Sequence, residues 1–250
     1  MKDKKILIFG AAGTIGSALC DHFSQKGYYV IASVKNDQES PASADQTLYA
    51  NVLGRFTLDS LAKDLGPKSI DHVVYSVGHC PPGGFEKEIS QDILAVGIER
   101  LRRDLSLHVE GTLNVAQCTF PLLRDGESFT VIGSAIIGLP VALAKFFKLN
   151  EFLHAGTYAA AKAGQQQIVK YLRLLKQNID SGITSNYLGF SAVRGSFHTG
   201  PKKILPPAMF EVEHVCKIVE DTILSGKNKS KNYSFLWLML HKKTHGIFTS

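Results

Sequence analysis

The chain has 250 residues, 44% of them hydrophobic and 20% charged, with a formal net charge of +6. This composition fits one large α/β domain with a proper core and excludes a disordered or fibrous chain. The basic residues cluster only at Lys2 to Lys5, Lys227 to Lys231 and Lys242-Lys243, so no continuous stripe faces nucleic acid, and the charge reads as solubility and attraction for an anionic cofactor.

Cys20, Cys80, Cys118 and Cys216 stand far apart without a C-x-x-C pair. That pattern argues against a zinc site or a disulfide framework, leaves no metal expected, and suits a reducing compartment, the cytoplasm. The apolar run near the N-terminus is too short for a secretory signal, and Phe235 to Leu240 is far too short to cross a bilayer.

Taken in order, Lys5 to Phe9 reads as a buried parallel strand, and Ser17 to Phe23 as the helix that follows. Between them lies Gly10-Ala11-Ala12-Gly13-Thr14-Ile15-Gly16, a glycine turn spaced G-x-x-G-x-x-G. Glycine at these points permits the tight turn, the approach of a pyrophosphate to the backbone and the packing of helix on strand. The helix start, from Thr14 and Ile15 onward, offers N–H groups and a positive dipole end to phosphate.

Tyr28 to Val34 reads as the second strand, and no acid stands at its end; Ser33, Val34, Lys35 and Asn36 come first. An acid there accepts from the adenosine ribose, whereas small polar or basic residues suit a 2′-phosphate, so the chain leans to NADP(H) over NAD(H). A polar loop runs to Gln46, followed by a short strand at Thr47 to Ala50, the pair Asn51-Val52, and a helix over Arg55 to Leu65. Ile70 to Gly78 is the fourth strand, and its terminal glycine again lets a ligand come close.

His79 to Gly84 is a Pro/Gly loop, and Ser90 to Leu123 carries a helical pattern in one or two segments. Phe129 to Ser134 is the fifth strand, Thr157 to Gln177 a long helix and Ile183 to Gly189 the sixth strand. Ser191 to Pro207 is a loop, Val212 to Leu224 a helix and Tyr233 to Leu240 the last strand. Strands alternate with helices and no repeat appears, so the expected fold is a single-domain Rossmann-type doubly wound parallel sheet of about seven strands with helices on both faces.

Within the long helix stands Tyr158-Ala159-Ala160-Ala161-Lys162. The i, i+4 spacing puts phenol and ammonium on one face, where a fixed cation favours the phenolate and makes Tyr158 a usable acid/base. Such a pair alone is a weak signal. Its place after Ser134 at a strand end, in a chain that opens on a phosphate turn, strengthens it.

On these residues the sequence resembles the short-chain dehydrogenases/reductases over nearly its whole length. The resemblance rests on Gly10, Gly13 and Gly16, on Ser76-Val77-Gly78 where that family usually has Asn-Ala-Gly, on Ser134, Tyr158 and Lys162, and on Leu188-Gly189 where it usually has Pro-Gly. It implies that Tyr158 exchanges a proton with a carbonyl or alcohol oxygen, that Ser134 hydrogen-bonds that oxygen, and that Lys162 holds the nicotinamide ribose and tunes Tyr158. Residues implied around the cofactor are Gly10, Gly13, Thr14, Ile15, Gly16, Ser33, Lys35, Asn51, Val52, Ser76, Gly78, Tyr158, Lys162 and Gly189.

Several positions depart from the family pattern. The asparagine expected three residues before Gly111 is His108, which either relays protons as an imidazole or packs as a core histidine. Asn51 replaces an aspartate that contacts adenine, and an amide partly imitates it. The gap between Ser134 and Tyr158 is longer than usual by about ten residues, an unusual length for an α/β connection. The stretches 138–156 and 190–210 are therefore expected over the substrate side, with Phe146, Phe147, Phe197 and Met209 suggesting an apolar substrate and His154, His198 and Lys202 a polar or anionic group on it. The implied activity is reduction of a ketone or aldehyde, or oxidation of the alcohol, in a homodimer or homotetramer without nucleic acid or a membrane span. The alternatives are a non-catalytic dinucleotide-binding regulator and an isomerase, epimerase or dehydratase on the same fold.

Overall fold

Two runs of residues with no solvent exposure, Ile6 to Phe9 and Val73 to Tyr75, lie side by side at the centre of the protein. They are apolar on both faces, as parallel strands covered by helices on each side must be. The computed structural model describes residues 3–35, 40–78, 96–138, 156–190, 193–194 and 210–233. Within these, β1 (Lys5–Phe9), β2 (Tyr29–Val34), β3 (Gln46–Tyr49), β4 (Ile70–Tyr75), β5 (Leu123–Ser134), β6 (Thr184–Phe190) and β7 (Ser230–Tyr233) form one parallel sheet in the order β3-β2-β1-β4-β5-β6-β7. The order reverses between β1 and β4, and a doubly wound sheet opens its ligand crevice at the carboxyl ends beside such a reversal.

Alternate strand residues feed two cores. Leu7, Phe9, Ile31, Val73, Tyr75 and Val131 pack on one face against α2 (Arg55–Leu65), α4 (Gly111–Thr119) and α5 (Gly156–Leu172). Ile6, Ile8, Val30, Val74, Ile132 and Leu188 pack on the other against α1 (Thr14–Gln25) and α7 (Val212–Leu224). The period of two along each strand sends neighbouring side chains to opposite layers. α3 (Ile98–Leu105) runs into α4 through a π turn at Ser106–Glu110, and α3 packs on α5.

Three boundaries differ from the sequence reading. The long helix ends at Leu172 and restarts as α6 (Lys176–Ser181), because the buried Asn178 amide donates to the Leu172 carbonyl at 2.6 Å and turns the chain. β5 begins at Leu123, where a helix end was expected, because Leu123 pairs with Ile70. A strand stands at Ser230–Tyr233, ahead of the expected Tyr233 to Leu240. Tertiary contacts make that polar segment a strand: Asn186 Oδ1 accepts from the Lys229 N–H at 2.8 Å, and Tyr187 N and Arg173 both donate to the Lys229 carbonyl. Residues 139–155 of the expected loop over 138–156, most of that over 190–210, the His79 to Gly84 loop, Ser90 to Ala95 and Ser234 to Leu240 lie outside the described residues.

Candidate active site

Gly10 has φ +74°, a conformation open to glycine, and a Cβ there would stand 3.0 Å from Ser76 and Val77 backbone. At Gly16 a Cβ would meet the Gly10 carbonyl at 2.1 Å, so these two glycines serve the packing of turn and helix. Gly13 is exposed, and a Cβ there would approach only the Gly10 oxygen, at 3.3 Å. It is the N-cap of α1, whose first turn holds no acid and no side-chain cap. The cradle therefore fits a phosphate on both sterics and charge.

Around it the predicted cofactor residues divide. The Ser76 hydroxyl donates to the Phe9 carbonyl at 2.7 Å, tying the ends of β4 and β1 together below the turn, with Gly78 exposed just beyond. Val52 is buried and held by Asn114, whose amide donates to the Val52 carbonyl at 3.1 Å. Asn51 is exposed, with its Oδ1 already accepting from the Leu53 N–H at 3.1 Å.

Two of these residues stand elsewhere than expected. Ser33 is 2% exposed inside β2, so its side chain is turned away from a 2′-phosphate; Lys35 is exposed just past the strand end. Gly189 pairs with Gly133 on one side and Asn232 on the other, one residue short of the end of β6 at Phe190. It stands within the sheet, whereas the family pattern puts it just past the strand.

Ser134 closes β5, and its hydroxyl is hydrogen-bonded to that of Tyr158 in the first turn of α5. The Lys162 amine lies over the Tyr158 ring, 5.6 Å from its centre. His108, in the π turn, sets its imidazole edge-on to the same ring, with centroids 5.3 Å apart. All four predicted catalytic residues thus meet at the carboxyl end of the sheet. Their protonation differs from the sequence expectation. Burial pushes the Tyr158 hydroxyl above its ordinary range, with Tyr187 adding to it and the Ser134 hydrogen bond opposing. Burial also brings the Lys162 amine down to about 7, against the pull of Asp104. Desolvation disfavours both charges and here outweighs the attraction of ammonium for phenolate.

Sequence reasoning missed a supporting ring of polar residues. Tyr187, fully buried in β6, accepts from the Ser134 N–H at 3.0 Å and lies 3.2 Å from the Ser134 carbonyl. Asp104 accepts from the Thr157 hydroxyl at 2.9 Å, and Gln165 accepts from the Lys162 amine at 3.0 Å. Helical spacing signals the last two, since Arg100, Asp104 and His108 share one buried face and Gln165 follows Lys162 by three residues. Only the strand register reveals Tyr187.

Residues 6–87 match the model of the NAD dependent epimerase/dehydratase family. A short-chain dehydrogenase/reductase from Serratia marcescens superposes with a TM-score of 0.75 at 15% identity, over 92% of this chain and 96% of that one. The chain has the short-chain dehydrogenase/reductase fold. A ligand-free aldohexose dehydrogenase from Thermoplasma acidophilum shares this fold with a TM-score of 0.72 at 14% identity, covering 92% of each chain. So does BdcA in complex with NADPH, with a TM-score of 0.70 at 17% identity over 93% and 94%. Two uncharacterised oxidoreductases of Staphylococcus epidermidis are 28% identical over 145 residues, 55% of this chain and 60% of theirs. The chain thus matches less than two thirds of these relatives' length. No described helix of this short-chain dehydrogenase/reductase fold is long and apolar enough to cross a membrane, and among the described residues no group of His, Cys, Asp and Glu is placed to hold a metal.

Proposed function

We propose that this chain is an NADP(H)-preferring oxidoreductase that reduces a ketone or aldehyde on an apolar small molecule, or oxidises the corresponding alcohol. In this reading it is one nucleotide-binding domain, acting in the cytoplasm as a homodimer or homotetramer, with 138–156 and 190–210 on the substrate side. The observation that carries the proposal is the hydrogen-bonded pair of Ser134 and Tyr158 with Lys162 over the phenol ring.

A nicotinamide dinucleotide supplies the hydride when bound. The residues that would hold it are Gly10 to Gly16, Lys35, Asn51-Val52, Ser76 to Gly78 and Lys162, the last on the ribose hydroxyls. Ser134 donates a hydrogen bond to the substrate oxygen and fixes it beside Tyr158, so that the reacting groups are aligned before reaction. Tyr158 then delivers its proton to the developing alkoxide. Burial keeps that proton on Tyr158 through neutral pH, which suits the reductive direction. The basic, acid-free end of β2 at Lys35 and the NADPH held by a protein of the same fold support the choice of cofactor.

The epimerase/dehydratase match favours a second reading, in which the same Tyr158 and Lys162 serve an isomerisation or dehydration. That match covers 6–87 and stops before Ser134, Tyr158 and Lys162, so it bears on the dinucleotide half alone. The test is NADPH and NADH binding by the purified protein and by Tyr158→Phe, followed by cofactor oxidation with a panel of ketones and aldehydes. Turnover lost in Tyr158→Phe with NADPH binding kept supports the reductase. Tight binding without turnover on any carbonyl moves the assignment to the isomerase or the regulator, and no nucleotide binding overturns both.

A further inference from the structure

Lys162 is 3% exposed, and its amine donates to Gln165 Oε1 at 3.0 Å. Gln165 is fully buried, and its Nε2 donates to Thr112 Oγ1 at 2.8 Å. A lysine offers only donors, so the amide oxygen must face it and the amide nitrogen must face Thr112. The Thr112 hydroxyl neighbours that of Tyr75, which donates to the Leu107 carbonyl at 2.6 Å. The bonds therefore run one way, from ammonium to amide to the Thr112 hydroxyl in the first turn of α4.

The Leu107 carbonyl belongs to the π turn, and the Tyr75 side chain reaching into the helix ladder accounts for its widening. Gly111 admits the hydroxyl, since a Cβ there would stand 2.7 Å from it. The next residue in the turn is His108, against Tyr158. An amide does not hand protons on as a hydroxyl does, so a chain with Gln165 in it orients charge and does not conduct it.

We propose that Gln165 is a positioning residue: through this buried chain it aims the Lys162 amine, stabilises it as a donor and ties it to the start of α4, next to the turn beside Tyr158. The inference rests on Lys162 belonging to the proposed site, but its test needs no turnover. The groups facing Lys162 are Asp104 from α3, Tyr158 from its own helix, His108 through the Tyr158 ring, and Tyr187, whose hydroxyl lies 3.5 Å from the Lys162 carbonyl. None of these is altered by a change at Gln165.

The experiment is an NMR titration of protein carrying ¹³Cε-lysine, with the Lys162 signal assigned by its loss in Lys162→Met. Wild type is expected to titrate far below the surface lysines. Gln165→Leu removes the acceptor at similar volume and lowers the proton affinity of Lys162 at least tenfold. Gln165→Glu restores the acceptor with a charge and raises it above wild type. Thr112→Val, which cuts the chain one bond further on, lowers it by about threefold and keeps the test open if Gln165→Leu does not fold. A Lys162 midpoint unmoved in folded Gln165→Leu, or moved the same way by Leu and Glu, overturns the proposal. NADPH binding measured on the same samples tells this failure apart from that of the functional reading, since absent binding sinks the reductase and leaves the titration standing.

Discussion

Gly133 and Tyr187 act as one unit, and a double-mutant cycle exposes it. A Cβ at Gly133 would lie 2.1 Å from Tyr187 Cζ, 2.3 Å from its hydroxyl and 2.4 Å from Cε2, whereas carbon atoms settle at about 3.5–4.0 Å. Gly133→Ala must push the ring back by more than about 1 Å. The ring is fully buried, and Gly133 and Ser134 are paired with Gly189 and Phe190, so neither backbone yields freely. Overpacking of this kind costs about 1–3 kcal/mol. Retreat of the ring also strips the Ser134 N–H of its 3.0 Å partner, and an orphaned buried donor costs about 1–3 kcal/mol more. The substitution should therefore destabilise by about 2–6 kcal/mol. Tyr187→Leu alone should cost about 2–4 kcal/mol through the cavity and the lost hydroxyl. Together they should cost at least about 1.5 kcal/mol less than the sum, because leucine leaves room where the ring stood. Urea unfolding of the four proteins measures this, and additivity within about 0.5 kcal/mol would refute the coupling.

Two other expectations follow from the same geometry. Gly16→Ala meets backbone at 2.1 Å and 2.8 Å and should destabilise by more than about 2 kcal/mol, whereas Gly13→Ala meets one atom at 3.3 Å and should keep stability within about 1 kcal/mol while weakening NADPH binding at least tenfold; melting curves and fluorescence titration check this, and the reverse ranking of the two refutes it. At the other end of the sheet, His72 is 2% exposed, and burial, then Lys4, brings its imidazole from the ordinary 6.5 down to about 4, with Asp71 opposing. The unfolded chain then binds the extra proton between these values, so stability present at neutral pH is lost as pH falls from about 6.5 to about 4. The loss is roughly 3 kcal/mol. His72→Gln should flatten that part of the pH profile relative to wild type, and parallel profiles would show that His72 is not its source.

Local pattern suffices where one element decides a residue's place, and fails where two distant elements do. Lys5 to Phe9, the glycine turn, Arg55–Leu65 and Val212–Leu224 stand in the chain as apolar period, glycine spacing and helical repeat, and the structure shows them at those places. Ser134, Tyr158 and Lys162 are legible for the same reason, each sitting at a strand end or on one face of one helix. Ser33 shows the limit: its type suits a phosphate, but the pleat that decides whether it faces core or crevice is set by how β2 pairs with β1 and β3. Ser230–Tyr233 has the composition of a loop and becomes a strand because Asn186, Tyr187 and Arg173 bind the backbone of Lys229 ahead of it. The protonation of the site is hidden from the sequence in the same way. The i, i+4 spacing displays the attraction between Lys162 and Tyr158, but the burial that reverses its effect comes from α3, the π turn and β6 closing over both. Gln165 and Asp104 answer that burial from within it: Gln165 accepts from an amine that the fold has taken out of water, and the Asp104 charge opposes the desolvation that lowers its proton affinity.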